Sequence, residues 1–195
     1  MSAFARVLSA LMLTVVATLA AVAQEVPKPD IPKIKQTKSG KYLGVKEAAA
    51  LVKAEPSKVL FLDIRTRGEV QFVGYATDID GVVPFVDMSQ FGEWDDTNNR
   101  YKLETNPVFS QTVGKALARK GLNKTDKIIL MCRSGDRSAR AADMLEEAGY
   151  TNVYSVYEGF EGDMSPDGRR SLNGWRNAGL PWTYKGNKAK MFVAE

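Results

Sequence analysis

The sequence predicts an α/β domain, a mainly parallel sheet with helices on both faces. Two strand-length stretches, residues 58–64 and 127–131, are largely apolar without the polar alternation of a half-exposed strand, as expected of strands buried on both sides. Helix-type segments separate the strand-type ones throughout, which is the order that builds parallel crossovers. The chain has 195 residues, 44% of them hydrophobic and 26% charged, enough for one such domain with a sizeable core.

In chain order, residues 1–23 read as a signal peptide. Arg6 is the lone charge, residues 7–19 are an apolar core, and Ala21-Val22-Ala23 gives a small-x-small cleavage pattern before Gln24. The expected product is exported, with a bacterial periplasm as its compartment and no stable membrane insertion after cleavage. A retained anchor is the alternative, and the short apolar core argues against it. The absence of cysteine near the cut excludes a lipoprotein. Residues 24–40, with three prolines and several lysines, read as an extended lead-in. The domain is expected over 41–185, followed by a tail at 186–195.

Residues 45–54 favour a helix, with Pro56 behind it as a stop. The apolar strand 58–64 follows, then a charged segment, Arg65 to Glu69. Residues 81–85 are a second short strand, closed by Pro84. Residues 87–105 form a polar excursion carrying Phe91, Trp94 and Tyr101, either a surface insertion or a recognition loop for a protein partner. Asn106 and Pro107 are start signals for a helix at 108–120, which Gly121 ends. The strand at 127–131 delivers Cys132, and residues 138–148 form the next helix, stopped by Gly149. Residues 152–156 are another strand. A glycine-rich, charged loop spans 159–173, and Trp175, Leu180, Pro181 and Trp182 close the domain.

Cys132 therefore stands where a buried strand hands over to a helix, at the carboxyl end of a parallel sheet, where sites form. Successive N–H groups in such a loop make an anion-binding concavity, and the helix dipole adds to it. Arg133 and Arg137 bring two further positive charges. These features favour a nucleophilic thiolate. Cys132 is the only cysteine and the chain has no histidine. That excludes Cys–His and Ser–His–Asp hydrolases, Cys/His zinc sites, CxxC redox chemistry and any intramolecular disulfide. In an oxidising compartment a lone cysteine is either buried and inert or exposed and used. No cofactor is called for, and seven unclustered methionines give no metal-handling motif. The net charge of +4 comes without a lysine/arginine block dense enough for nucleic acid, and suits small anions equally well.

Several motifs then fall in order. Leu62-Asp63-Ile64-Arg65 is followed by Glu69. Gly81 and Pro84 come next, then the loop Cys132-Arg133-Ser134-Gly135-Asp136-Arg137-Ser138-Ala139. Gly159, Gly174-Trp175 and Gly179-Leu180-Pro181 complete the set. From about Tyr42 to Trp182 this pattern resembles the single-domain rhodanese (sulfurtransferase) family, with Tyr75 where the family usually carries histidine.

The resemblance implies a rhodanese-like domain and a Cys132 persulfide. That persulfide would take sulfane sulfur from a small anionic donor such as thiosulfate and pass it to a thiophilic acceptor. On this reading N–H groups from Arg133 to Ser138 surround the outer sulfur, and Arg133 and Arg137 orient the donor. Gly135 supplies an unusual backbone angle. Asp136 faces solvent or pairs with an arginine, and Ser138 caps the helix in preference to touching the sulfur. Asp63 and Arg65 are expected as a structural ion pair.

The alternatives are a persulfide carrier or partner-docked module with little small-molecule turnover, and a phosphatase or arsenate-type enzyme. Phosphatases on this fold resemble Cys-x5-Arg. Here that position is Ser138, with Arg137 one residue earlier, so the shorter loop favours sulfur.

Overall fold

A computed structural model describes residues 30–193; the targeting segment expected at 1–23 and the last two residues of the expected tail lie outside them. The elements run β1 (Tyr42–Leu43), α1 (Val45–Ala54), β2 (Val59–Asp63), α2 (Arg67–Val73), β3 (Tyr75–Ala76), β4 (Gly81–Val82), β5 (Val86–Met88), β6 (Trp94–Asp95), β7 (Arg100–Tyr101) and β8 (Leu103–Thr105). They continue with α3 (Phe109–Arg119), β9 (Lys127–Met131), α4 (Asp136–Glu147), β10 (Val153–Val156) and β11 (Trp182–Thr183). Five strands form a parallel sheet in the order β1-β10-β9-β2-β4, with β9 at its centre.

Strand alternation divides the core between the two faces of the sheet. Leu60, Leu62, Ile128 and Leu130 pack with Phe109, Val113 and Leu117 of α3 and with Ala141, Ala142 and Leu145 of α4. Val59, Phe61, Ile129 and Met131 pack with Val45 and Ala48 of α1, Val70 of α2, Phe160 and Trp175. Each central strand thus buries both faces, which is why its sequence shows no alternation. The same alternation places Cys132 on the face covered by α3 and α4.

Four sequence-level expectations change. The charged segment after β2 is the start of a helix, α2. Thr66 caps it, accepting from Glu69 N at 3.1 Å while Glu69 Oε2 accepts from Thr66 N at 3.0 Å. The 87–105 excursion is an antiparallel β arm, with β5 paired to β8 and β6 to β7, and Trp94 and Tyr101 in edge contact as a cross-strand pair of β6 and β7. Helix α4 begins at Asp136, two residues before the sequence pattern places it, because Gly135 turns left-handed immediately ahead. Finally, residues 31–40 lie against the domain. Ile31 is buried, Lys35 pairs with Asp163 at 2.6 Å, and Lys38 N donates to Asp143 Oδ1 on α4 at 2.8 Å.

The remaining signature residues hold the far side of the domain together. Trp175 is fully buried against Phe61 and donates from Nε1 to Pro181 O at 2.9 Å. Tyr75 pairs in β3 with β11 and donates its hydroxyl to Lys185 O. Among the described residues no helix is long and apolar enough to cross a membrane.

Candidate active site

The strand-to-helix turn after β9 is shaped by close backbone approach. Gly135 has φ +101°, and a Cβ there would stand 2.1 Å from Tyr157 O. Opposite it, a Cβ on Gly159 (φ +70°) would stand 2.4 Å from Arg133 O. The turn is also laced to the segment following β10, since Phe160 N donates to Cys132 O at 2.8 Å and Glu161 N and Gly162 N both donate to Arg133 O. Two glycines therefore let two loops pack backbone to backbone, as no side chain would allow.

Within this cradle Cys132 is fully buried. Of the two alternatives, buried and inert or exposed and used, the structure shows a buried cysteine, but one with polar neighbours. The sulfur belongs to the hydrophobic cluster under α3 and α4 and meets polar groups at the mouth of a helix. Gly135 N donates to Sγ at 3.1 Å, and Ser138 Oγ lies 3.5 Å away. Asp136 Oδ1 is 3.9 Å off, at the limit for a thiol donor. The N–H groups of Asp136, Arg137 and Ser138 open α4 and have no carbonyl within the helix to pair with, so they and the helix dipole face the same region.

Ser138 corrects the sequence reading. The N-cap is Gly135, and Ser138 stands a turn into the helix, with its hydroxyl 3.1 Å from Gly135 O and 2.8 Å from Ser155 Oγ of β10. Ser155 is fully buried, and Ser138 is the one hydrogen-bond partner its hydroxyl has among the described residues. Its proton therefore goes to Ser138 Oγ, which leaves the Ser138 proton for Gly135 O or for sulfur. Ser155 carries no sequence signal beyond a small residue in a strand.

Arg137 is the larger correction. Its guanidinium is almost entirely buried and makes a two-pronged pair with Glu69, Nη1 to Oε2 at 2.7 Å and Nη2 to Oε1 at 2.6 Å. Burial pushes the Glu69 carboxyl up, but the Arg137 hydrogen bonds and charge more than offset this and hold it at about 2. The same contacts, working against burial, raise Arg137 above the ordinary guanidinium value. Arg137 thus ties α4 to α2 and is not available to a donor. Asp63 and Arg65 are likewise a fully buried pair at 2.6 Å, with Arg65 also donating to Gly74 O and stacking 4.0 Å over Phe160.

Arg133 and Ser134 are half-buried at the rim, and Arg133 Nε, like Arg65 Nη1, is shielded from solvent without an acceptor among the described residues. Asp136 stands 3.9 Å from Arg140, a weak pair one turn along the helix. No group of three or more metal-ligating side chains occurs among the described residues. A groove of about 570 Å³ between β4, α3 and residues 189–193 includes none of the residues of the Cys132 loop.

The geometry can be set beside known proteins. The chain shares 39% identity over 57 residues with the uncharacterized protein RC0915 of Rickettsia conorii, 29% of this chain and 42% of that one. It shares 36% over 81 residues with rhodanese-like domain-containing protein 9, chloroplastic, of Arabidopsis thaliana, 40% of this chain and 32% of that one. These matches span less than half the length of either relative. Among solved structures, Rv0390 from M. tuberculosis superposes with a TM-score of 0.54 at 27% identity, over 74% of this chain and 99% of the other. A model of the rhodanese-like domain matches residues 45–165, from the first turn of α1 through the Cys132 loop and into the loop after β10, and the chain belongs to that family.

Proposed function

We propose that this protein is an exported sulfurtransferase that carries sulfane sulfur on Cys132 from a thiosulfate-like donor to a thiophilic acceptor. One observation carries the reading. Gly135 N–H at 3.1 Å, the Ser138 hydroxyl at 3.5 Å and the opening turn of α4 all converge on a single sulfur atom. Donors fixed in this way stabilise negative charge on sulfur without reorganising during reaction.

In the first step the Cys132 thiolate attacks the sulfane sulfur of the donor. A sulfur–sulfur bond forms to Cys132, and the bond to the sulfonate breaks, with sulfite leaving on the electron pair. A thiophilic acceptor then attacks the outer sulfur and returns the thiolate. The residues required for this are on the chain itself, and no cofactor enters. Membership of the rhodanese-like family supports sulfur transfer as the class of chemistry. The choice of thiosulfate rests on the cationic rim. Export rests on the sequence pattern of residues 1–23.

Intact-protein mass spectrometry tests the proposal. Thiosulfate should add about one sulfur (~32 Da) to Cys132, cyanide should remove it, and Cys132→Ser should neither gain the mass nor turn over while keeping its fold. Full activity in Cys132→Ser ends the proposal.

A second reading, a persulfide carrier docked to a protein partner, is favoured by the β arm. Phe91, between β5 and β6, is 87% exposed, and Trp94 and Tyr101 are about half exposed. Shortening the arm should then impair partner binding and spare persulfide formation; loss of persulfide formation with partner binding intact counts against it.

A further inference from the structure

The arginines around Cys132 fall into two kinds. Arg65 and Arg137 are each closed by a carboxylate at 2.6 Å. Arg133 and Arg170 have no carboxylate within ion-pair distance among the described residues. Arg170 belongs to the charged loop after β10. Its Nη1 donates to Gly162 O at 2.6 Å, and Gly162 N in turn donates to Arg133 O at 3.1 Å. One residue, Gly162, thus links the Arg170 guanidinium to the backbone of the residue beside Cys132. The loop is fixed in this pose by an antiparallel bridge between Met164 and Arg170, and by Asn177 Nδ2, which donates to Arg170 O and Glu161 O.

Two like charges with no carboxylate in direct contact are costly when partly desolvated. Burial lowers the Arg170 pKa, and the nearby Arg133 charge lowers it further. The carboxylates whose fields reach Arg170 are Glu161, Asp163 and Asp136. Asp163 is already engaged by Lys35 at 2.6 Å and by Asn173, and Asp136 leans toward Arg140. Arg133 Nε, a strong donor hidden from water, lacks any acceptor among the described residues. An anion with several oxygens would relieve all of these defects together.

We infer that Arg133 and Arg170 form a two-guanidinium seat for a tetrahedral oxyanion, and that Arg170 determines specificity for donors whose leaving group is such an anion. Resting on the sulfur-transfer reading, this assigns Arg170 the role that the sequence gives to Arg137. Guanidinium forks match the oxygens of a sulfonate or sulfate, and the seat would hold the sulfite end of the donor while its outer sulfur meets Cys132. A donor lacking that charge would gain nothing from it.

The test uses sulfate as a non-reacting probe of the thiol form of the whole protein, titrated calorimetrically at constant ionic strength. Arg170→Gln should weaken sulfate binding about tenfold to hundredfold, the range of one charge-assisted contact. It should raise KM for thiosulfate by a similar factor with kcat little changed, and leave the rate with an uncharged organic trisulfide unaltered. Arg170→Lys should recover part of the affinity. Absence of saturable sulfate binding to the wild-type protein, or equal affinity in Arg170→Gln, overturns the assignment. The two ideas fail separately. Arg170-dependent sulfate binding without any persulfide retires sulfur transfer and keeps the anion seat, whereas persulfide formation with sulfate affinity indifferent to Arg170 does the reverse.

Discussion

The base of the site and its rim are both rich in arginine, and they differ in what those arginines face. At the base, Arg137 meets Glu69 and Arg65 meets Asp63, each a buried ion pair closed within the chain, although Arg65 Nη1 has no acceptor among the described residues. At the rim, Arg133 and Arg170 have no carboxylate within ion-pair distance among the described residues. The base pairs fasten α4 to α2 and the end of β2 to Gly74, so they hold the cradle in shape. The rim has positive charge to spare for a ligand. Distance from Cys132 along the chain does not separate the two groups, since Arg133 and Arg137 both lie within five residues of it. The presence of a carboxylate partner does.

The sharpest way to break this contrast is to remove the partner at the base. Glu69→Gln leaves the Arg137 charge buried and uncompensated, and should destabilise the fold by roughly 3–5 kcal/mol in urea unfolding. Replacing both residues by apolar ones of similar size should recover most of that loss, because the penalty comes from the orphaned charge. Arg170→Gln should do the opposite, weakening the anion seat while moving stability by less than ~1 kcal/mol, as at most partly exposed sites. If Glu69→Gln were as stable as wild type, the base arginines would be no more committed than those at the rim.

Much of this was legible in the sequence. β9 and α1 have the bounds that the apolar run and the helix-forming run give them, because burial on both faces and good helix formers leave few competing structures. What escaped was decided by contacts distant in the chain. Helix α2 has only seven residues and includes Gly68, so its periodicity is weak; its signal is the Thr66–Glu69 capping box. The commitment of Arg137 depends on a residue 68 positions away, and no local pattern reveals that. Arg170 is one of several charges in a glycine-rich loop, and only the fold brings it next to Arg133. Ser138 reads as a cap because serine before an alanine-rich helix commonly is one. The left-handed turn at Gly135 starts the helix early and turns that hydroxyl toward sulfur.

Acid offers a finer test of the base. Glu69 titrates at about 2 in the folded protein against an ordinary 4.5, a depressed value, so its stabilisation is complete above the higher figure and is lost as pH falls through the lower one. The difference corresponds to roughly 3 kcal/mol. Unfolding free energy should therefore decline between those two pH values by about that amount more in the wild type than in Glu69→Gln. Parallel pH profiles would mean that the Glu69–Arg137 pair contributes little net stability.

The smallest effect is expected at the sulfur itself. Ser138 lies 3.5 Å from Sγ, long for a strong bond, and its proton is shared with Gly135 O at 3.1 Å. Ser138→Ala removes one of several donors to the charged sulfur, and a neutral hydroxyl bond of this kind is worth about 1 kcal/mol, or roughly fivefold in rate. Alkylation of Cys132 and thiosulfate turnover should both slow by about that factor, while sulfate affinity, set at the rim, stays put. Ser155→Ala should act only through Ser138, so the Ser138→Ala/Ser155→Ala double variant should react no more slowly than Ser138→Ala alone. Additive losses would show that Ser155 supports the site by packing and not by orienting the Ser138 proton.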